Sequence, residues 1–237
     1  MTAANVFGLT AIHDCIELQN MQDNLYEDYY LVNDIDCSDT VTWNSGEGFN
    51  PVGNSTTIGF RGSMDGNYHV VQGLYINRPS TNRIGLFGQG YDIQIQNIGI
   101  VGAQITGSQE VGALIGFISA SSSDSTEISN SYSTGTIDGV WYVGGLIGYA
   151  QAPSRRAEIH DCYSTADITG VLEGLGGLIG QAGIAPMLNI NDSYATGTVY
   201  ATNDNPVSDP TIGGFVGKLR GANITNCYSV GGVDYNK

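Results

Sequence analysis

Basic residues are scarce in this 237-residue chain: eight Lys and Arg stand against 23 Asp and Glu, a net charge of −15. Neutralising nucleic-acid phosphates takes clusters of Lys and Arg, so that scarcity argues against a nucleic-acid partner and against an anionic membrane surface. Charge of either sign is thin, at 13% of residues against roughly 25% in an ordinary domain. The hydrophobic share is nevertheless 41%, unlike the low-hydrophobicity, high-charge composition of disordered acidic chains, so the chain should fold. No apolar run approaches the ~20 residues that cross a bilayer. Met1 to Leu9 lack the basic n-region and the apolar h-region of a secretory signal. The chain is therefore expected either to stay inside the cell or to be a mature or recombinant form without its signal. Cysteine is limited to positions 15, 37, 162 and 227, and no pair has the short spacing of a zinc or thioredoxin-like motif.

What the chain has in excess is glycine, 34 residues, of which thirteen lie inside one recurring phrase. One phrase recurs: Ile84-Gly85-Leu86-Phe87-Gly88, Val111-Gly112-Ala113-Leu114-Ile115-Gly116, Val143-Gly144-Gly145-Leu146-Ile147-Gly148, Leu175-Gly176-Gly177-Leu178-Ile179-Gly180 and Ile212-Gly213-Gly214-Phe215-Val216-Gly217. A second phrase alternates with it: Ile128-Ser129-Asn130-Ser131-Tyr132, Ile159-His160-Asp161-Cys162-Tyr163, Ile190-Asn191-Asp192-Ser193-Tyr194 and Ile224-Thr225-Asn226-Cys227-Tyr228, with Ile95-Gln96-Asn97 as a degenerate first copy. Two interleaved phrases in fixed order mark a repeat architecture.

Short apolar runs with β-branched residues and Tyr, broken by Gly, Asn and Asp, carry no helical periodicity. The expected fold is all-β, a right-handed parallel β-helix (β-solenoid) with about three short strands per coil, coils ~4.8 Å apart, and a shared Ile, Leu and Val core. A propeller is the structural rival, though the repeat is short for four-stranded blades. Residues 1–83 read as an N-terminal cap and opening coils, and residues 84–237 as five repeats continuing the same β-helix. Ile12, Ile16, Leu18 and Met21 sit near helical spacing and predict a short helix over the N-terminal edge, followed by a first strand and turn at Leu31 to Asp36. Asp65-Gly66-Asn67 predicts a tight turn. No equivalent cap is read near Lys237, so further repeats or a partner are expected on that end.

The two phrases resemble the GLUG-motif repeats, named for Gly-Leu-apolar-Gly and found in bacterial and archaeal surface proteins and some large secreted proteases. The resemblance covers about residues 84–237, with departures at Ala113, at Ala166 and in the shorter first copy. It implies an extracellular, β-helical, adhesin-like or spacer module whose motif holds no catalytic residue.

Residues at one repeat position should stack in ladders. Asn97, Asn130, Asp161, Asp192 and Asn226 form a structural ladder sharing side-chain hydrogen bonds. Asp161 and Asp192, ~5 Å apart beside His160, also match the carboxylate pair of a retaining glycosidase. Tyr132, Tyr163, Tyr194 and Tyr228 form an aromatic ladder, a packing device if it faces inward and a sugar-stacking surface if outward. Asp34, Asp36 and Asp39 could offer oxygens to calcium, or form a solvated acidic loop; no other metal or cofactor is expected. Cys15 and Cys37 are left open between a disulfide and two free thiols, whereas Cys162 and Cys227, two coils or ~10 Å apart, exceed disulfide reach and read as thiols stacked in the ladder. Thr134, Thr136, Thr196 and Thr198 sketch an ice-binding array that Asp167 and Val230 interrupt. Gly174-x-Gly176 imitates a dinucleotide fingerprint but opens no helix, and Asn54-Ser55-Thr56 is a glycosylation sequon if the chain is secreted.

The functional expectation is a non-catalytic extracellular or cell-surface adhesion module, partnered by itself or by further repeats of a longer parent and able to form end-to-end filaments through its C-terminal edge. Carbohydrate or a host-surface protein is the expected external partner. The alternative is a polysaccharide-binding or polysaccharide-degrading β-helix, which requires Asp, Arg and Lys gathered on one face. The basic residues read as scattered, with only Arg155 and Arg156 adjacent.

Overall fold

Along Ala157–His160 the residues alternate between buried and half-exposed, which sends Ala157 and Ile159 inward and leaves Glu158 and His160 outside. The same alternation recurs one repeat later in Leu188–Asn191 and, except that Ser129 is also buried, one repeat earlier in Thr126–Ser129, and these strands pair in parallel and in register. Extending that pairing gives the fold. In the computed structural model, which describes residues 8–54, 58–120, 125–183, 187–202 and 211–235, the chain is an all-β parallel β-solenoid with one short α-helix.

Each central coil has four sides. The first is an eight-stranded sheet running from Leu9–Ile12 through Asp28–Leu31, Ser63–Asp65, Gln94–Gln96, Thr126–Ser129, Ala157–His160 and Leu188–Asn191 to Ala222–Thr225. The second is bent. Gly99–Thr106 and Tyr132–Gly139 run through it as eight-residue strands, and later coils split it into pairs such as Tyr163–Ser164 and Asp167–Gly170. The third holds Gln109–Val111, Trp141–Gly144, Leu175–Gly176 and Ile212–Gly213. Phe87–Tyr91, Ile115–Ser119, Ile147–Gln151, Ile179–Gly183 and Val216–Leu219 make the fourth. Sequence periodicity suggested about three strands per coil. The additional side arises where the chain folds back between Gly144 and Ile147, in the middle of the repeated glycine phrase.

Columns of β-branched apolar residues fill the interior. Ile95, Ile128, Ile159 and Ile190 pair in register on the first side, and Ile105, Ile137, Ile168 and Val199 on the second. All eight are 0–1% exposed. Larger rings close the wider opening coils, where Phe60 and Phe87 meet at 4.8 Å between centroids.

The glycines of the phrase have a packing reason. A Cβ on Gly148 would lie 2.5 Å from the backbone of Glu110, Val111 and Gly116, in the preceding coil. Gly116 faces the backbone of Arg83 and Glu110 in the same way. The third and fourth sides therefore approach backbone to backbone, which no side chain permits.

The helix α1 (Cys15–Asn20) is shorter than the spacing suggested and follows a strand instead of preceding the first one. Asp14 caps it by accepting hydrogen bonds from the N–H groups of Ile16 and Glu17. Leu18 and Met21 enter the core, while Ile12 belongs to the first strand and Ile16 is 61% exposed. At Asp65-Gly66-Asn67 the chain does turn, with Asn67 and Tyr68 at φ 49° and 64°.

Candidate functional site

The recurring Asn and Asp residues occupy one corner, between the first and second sides. Asn97, Asn130, Asp161, Asp192 and Asn226 all have positive φ, between 47° and 56°. The left-handed region is costly for most L-residues and least so for Gly, Asn and Asp, so residue choice at this position is set first by the backbone. Two side-chain bonds occur at the ends of the column. Asn226 Nδ2 donates to Asp192 Oδ1 at 3.0 Å, and Asn97 Nδ2 to Asp65 Oδ1 at 3.0 Å. Asp161 and Asp192 lie on adjacent coils but both are exposed, and an open corner offers none of the solvent exclusion that makes preorganised charge effective in catalysis.

Next to this corner, His160 Nδ1 lies 2.8 Å from Asp161 Oδ2 and its Nε2 lies 3.2 Å from Glu127 Oε1. Partial burial lowers the imidazole pKa, but the two carboxylates outweigh that effect and the net shift is upward from 6.5. A raised folded-state pKa means this group stabilises the fold at pH below 6.5 and that the contribution is lost as pH rises through the folded value. His160→Gln is accordingly expected to lower the unfolding midpoint at pH 5.5 and to leave it nearly unchanged at pH 8.5. Denaturation at both pH values, with an NMR titration of the imidazole, checks the sign.

The tyrosines are brought together as a continuous stack. Tyr132, Tyr163, Tyr194 and Tyr228 pair in register, with centroid separations of 4.7, 4.9 and 5.2 Å and interplanar angles of 7° or less. Burial and the flanking phenols raise the pKa of Tyr163. Below Tyr132 the backbone of Gly99 takes the ring, since a Cβ there would meet ring atoms. The ring faces are thus covered by one another and the stack presents edges to solvent, whereas sugar stacking requires a free face. Tyr228, 55% exposed in the last described coil, has an outer face that no other ring of the column covers.

The carboxylates of the acidic turn are engaged by groups of the chain itself. Asp34 accepts from the Val70 N–H and lies 3.1 Å from His69 Nδ1, Asp36 accepts from the Ser38 N–H, and the first two carboxyls are held below their usual range by these bonds. Among the described residues no three acidic, His or Cys side chains are grouped for metal binding. Cys15 and Cys37 are joined by a disulfide, Cα–Cα 5.3 Å, which ties α1 to the chain entering Ser38–Gly46. Cys162 and Cys227 are free and share an interior column with Ser131 and Ser193. Burial pushes the Cys162 thiol up to about 12. The Thr column is interrupted, as Thr136 pairs in register with Asp167. Gly174 starts no helix, and the sequon at Asn54-Ser55-Thr56 extends outside the described residues.

A second corner column was not anticipated. Arg83, Glu110, Tyr142 and Gly174, each just before the glycine phrase, have φ of 62°, 59°, 54° and 80°. Gly174 was the available signal, because it alone carries the residue type such a backbone favours. The side chains of Arg83 and Tyr142 lean over the fourth side, whose central column reads Gln89, Phe117, Tyr149, Gln181 and Lys218. Arg83 Nε donates to Glu110 Oε2 at 2.8 Å, with its guanidinium 4.8 Å over the Phe117 ring. Arg61 lies 5.0 Å over Tyr91 and 3.9 Å from Asp92, and Lys218 pairs with Glu173. Arg220 is near enough for its charge to act on Tyr142 and Tyr149, whose pKa values burial raises. Four of the eight basic residues therefore share one side, which corrects the scattered distribution read from the sequence.

Comparison with known proteins agrees with this architecture. A family model described as the GLUG motif matches residues 139–169 and 210–234. Over 217 residues, 80% of the chain, it is 31% identical to halomucin of Haloquadratum walsbyi, and over 111 residues, 44% of the chain, it is 35% identical to a protein of Evansella cellulosilytica provisionally named a Gly-rich membrane protein. The matched stretches span 2% and 13% of those relatives. A crystal structure from Bacteroides ovatus, provisionally named an immunoglobulin A1 protease, superposes with a TM-score of 0.73, covering 95% of this chain and 77% of that one at 21% identity, a likeness of fold alone. No helix among the described residues is long and apolar enough to cross a membrane.

Proposed function

We propose that this chain of GLUG-motif repeats is a non-catalytic structural module of a surface protein, a solenoid whose last described coil accepts another coil of the same kind. The observation that carries the reading is the edge formed by residues 211–235. Its strands lie at the ends of their sheets, and Leu219, Ile224, Tyr228, Val230 and Val233 are 53%, 38%, 55%, 73% and 51% exposed. Parallel strands with unpaired backbone and exposed apolar residues are a template for pairing. The names of the two relatives, halomucin and a membrane protein, support a surface location.

In the chain studied alone, the added coil comes from a second copy. The opposite end is filled by Leu18 and Met21 around α1. A pair joined through this edge alone is closed and two-fold symmetric, whereas an end-to-end filament would also use the Leu9–Ile12 edge of the first sheet. Analytical ultracentrifugation is expected to show a concentration-dependent dimer that Tyr228→Asp with Val233→Lys abolishes without loss of β-structure. A wild-type chain monomeric up to its solubility limit would refute the docking edge.

The polysaccharide-active alternative draws on the cations of the fourth side. Arg83, Lys218 and Arg61 each have an acidic neighbour there, so little net positive charge is left for an acidic sugar. A polysaccharide degradation screen decides the point, because activity lost specifically in Asp161→Asn with Asp192→Asn would reverse the reading.

A further inference from the structure

Where α1 and the residues after it meet the segment following Cys37, a cavity of about 480 Å³ is lined by Gln19, Gln22, Trp43, Asn44 and Asn50. We propose that this cavity is a binding site for a neutral saccharide, a ligand class that none of the ladders on the solenoid sides accommodates. The proposal is independent of coil stacking, since the cavity lies at the other end of the solenoid.

The lining is unusual for this molecule. The chain carries 31 charged side chains, yet among the described residues none borders the cavity, and one of the two tryptophans does. Four carboxamides and an indole offer paired donors and acceptors beside a flat apolar surface, the combination that suits vicinal hydroxyls on one edge of a sugar ring and its C–H face. A charged ligand would be desolvated there without a counter-charge, and an apolar one would strip the amides of their water. The volume falls within the roughly 300–1,000 Å³ of small-molecule sites.

The side chains are held in place before any ligand arrives. Gln19 Nε2 donates to the Asn50 carbonyl at 2.8 Å while its Oε1 accepts from the Asn50 N–H at 2.8 Å. Asn50 Nδ2 donates to Gln22 Oε1 at 3.0 Å, and Asn54 Nδ2 to Asn50 Oδ1 at 2.7 Å. A carboxamide has two N–H donors, so Gln19 and Asn50 each retain one beyond these bonds. Asn44 Nδ2 donates to the Gly48 carbonyl at 2.7 Å, which fixes the amide and leaves its oxygen without a bond in this network. Phe49, fully buried, lies near-parallel to the Trp43 ring at 6.4 Å and supports it from the core side.

Two features beyond the amides indicate that this geometry is maintained at a cost. Asn44 and Ser45 are both left-handed, at φ 51° and 59°, a backbone state that persists only where the surroundings enforce it. The Cys15–Cys37 disulfide joins α1 to the start of Ser38–Gly46, so it clamps two of the elements that wall the cavity.

Trp141→Phe leaves Trp43 as the sole tryptophan, so its emission reports on the cavity directly. This variant is to be titrated with cellohexaose, xylohexaose, mannohexaose and maltohexaose, with an oligogalacturonate as the acidic comparison. At least one neutral oligosaccharide is expected to change Trp43 emission saturably, and the oligogalacturonate to leave it unchanged. Gln22→Ala and Asn44→Gly, the latter suited to a positive φ, are each expected to weaken that binding by about tenfold or more while retaining the wild-type circular dichroism and melting temperature. The proposal is overturned if no neutral member of the panel gives a saturable change, if the oligogalacturonate binds better than all of them, or if both folded variants bind as tightly as their parent.

Discussion

Gly148→Ala is expected to destabilise the protein by about 3 kcal/mol or more, and Gly148→Val to prevent cooperative folding altogether. The added Cβ would sit 2.5 Å from three backbone atoms of the preceding coil. Backbone cannot rotate aside as a side-chain tip can, so the coils must separate and the flanking ladder bonds stretch with them. Gly232→Ala is the matched comparison. Its Cβ would meet nothing closer than Thr198 Cγ2 at 3.7 Å, and its φ lies outside the left-handed range. That substitution should stay within about 0.5 kcal/mol of wild type, because the reduced freedom of the unfolded chain offsets any small contact cost. Urea unfolding of both variants measures the difference. Equal losses at the two positions would mean that close backbone approach is not what the motif glycine serves.

Removing the disulfide should have the second-largest effect. Cys15 and Cys37 are 22 residues apart in sequence and both are buried, 6% and 0% exposed. Closing a loop of that length restricts the unfolded chain by an amount equivalent to about 3 kcal/mol. In a chain of this size, that corresponds to a fall in melting temperature of roughly 6–12 °C for Cys15→Ala with Cys37→Ala. Dithiothreitol should reproduce the fall in the wild-type protein and have no further effect on the double variant. A reduced wild-type protein that melts with the oxidised one would show that the N-terminal cap is held by packing alone.

The sequence revealed the parts of this fold that repeat. Ile128, Ile159 and Ile190 recur because the same interior position is filled once per coil, and the glycine phrase recurs because the same backbone contact is made once per coil. What repeats only in conformation was much harder to see. Arg83, Glu110, Tyr142 and Gly174 share a left-handed backbone but no chemistry, so residue identity concealed the second corner until the φ angles were known. The Asn and Asp corner was legible as a column, although its residue types answer first to backbone geometry and, at its ends, to ladder bonding. The N-terminal cavity was not legible at all. Gln19, Gln22, Trp43 and Asn50 lie outside the repeats and are brought together by contacts between residues about 30 positions apart. Ile16 shows the opposite error: helical spacing suggested a core residue, yet α1 ends after six residues and turns it to solvent.

The one-neighbour-per-face arrangement of the coils also has a mechanical consequence. Tension applied at Tyr235 would act first on the last described coil, whose ladder bonds among the described residues reach only the coil behind it. The solenoid would then peel one coil at a time, each of about 31 residues paying out roughly 100 Å of chain at ~3.4 Å per residue. Short ladder contacts failing in sequence keep the force low while the extension is long, and pairing with the remaining edge can re-form when the load drops. Peeling would stop at the Cys15–Cys37 bond, which leaves the N-terminal cap attached as the seed for rewinding. On a surface exposed to shear, such a module would behave as a reversible shock absorber.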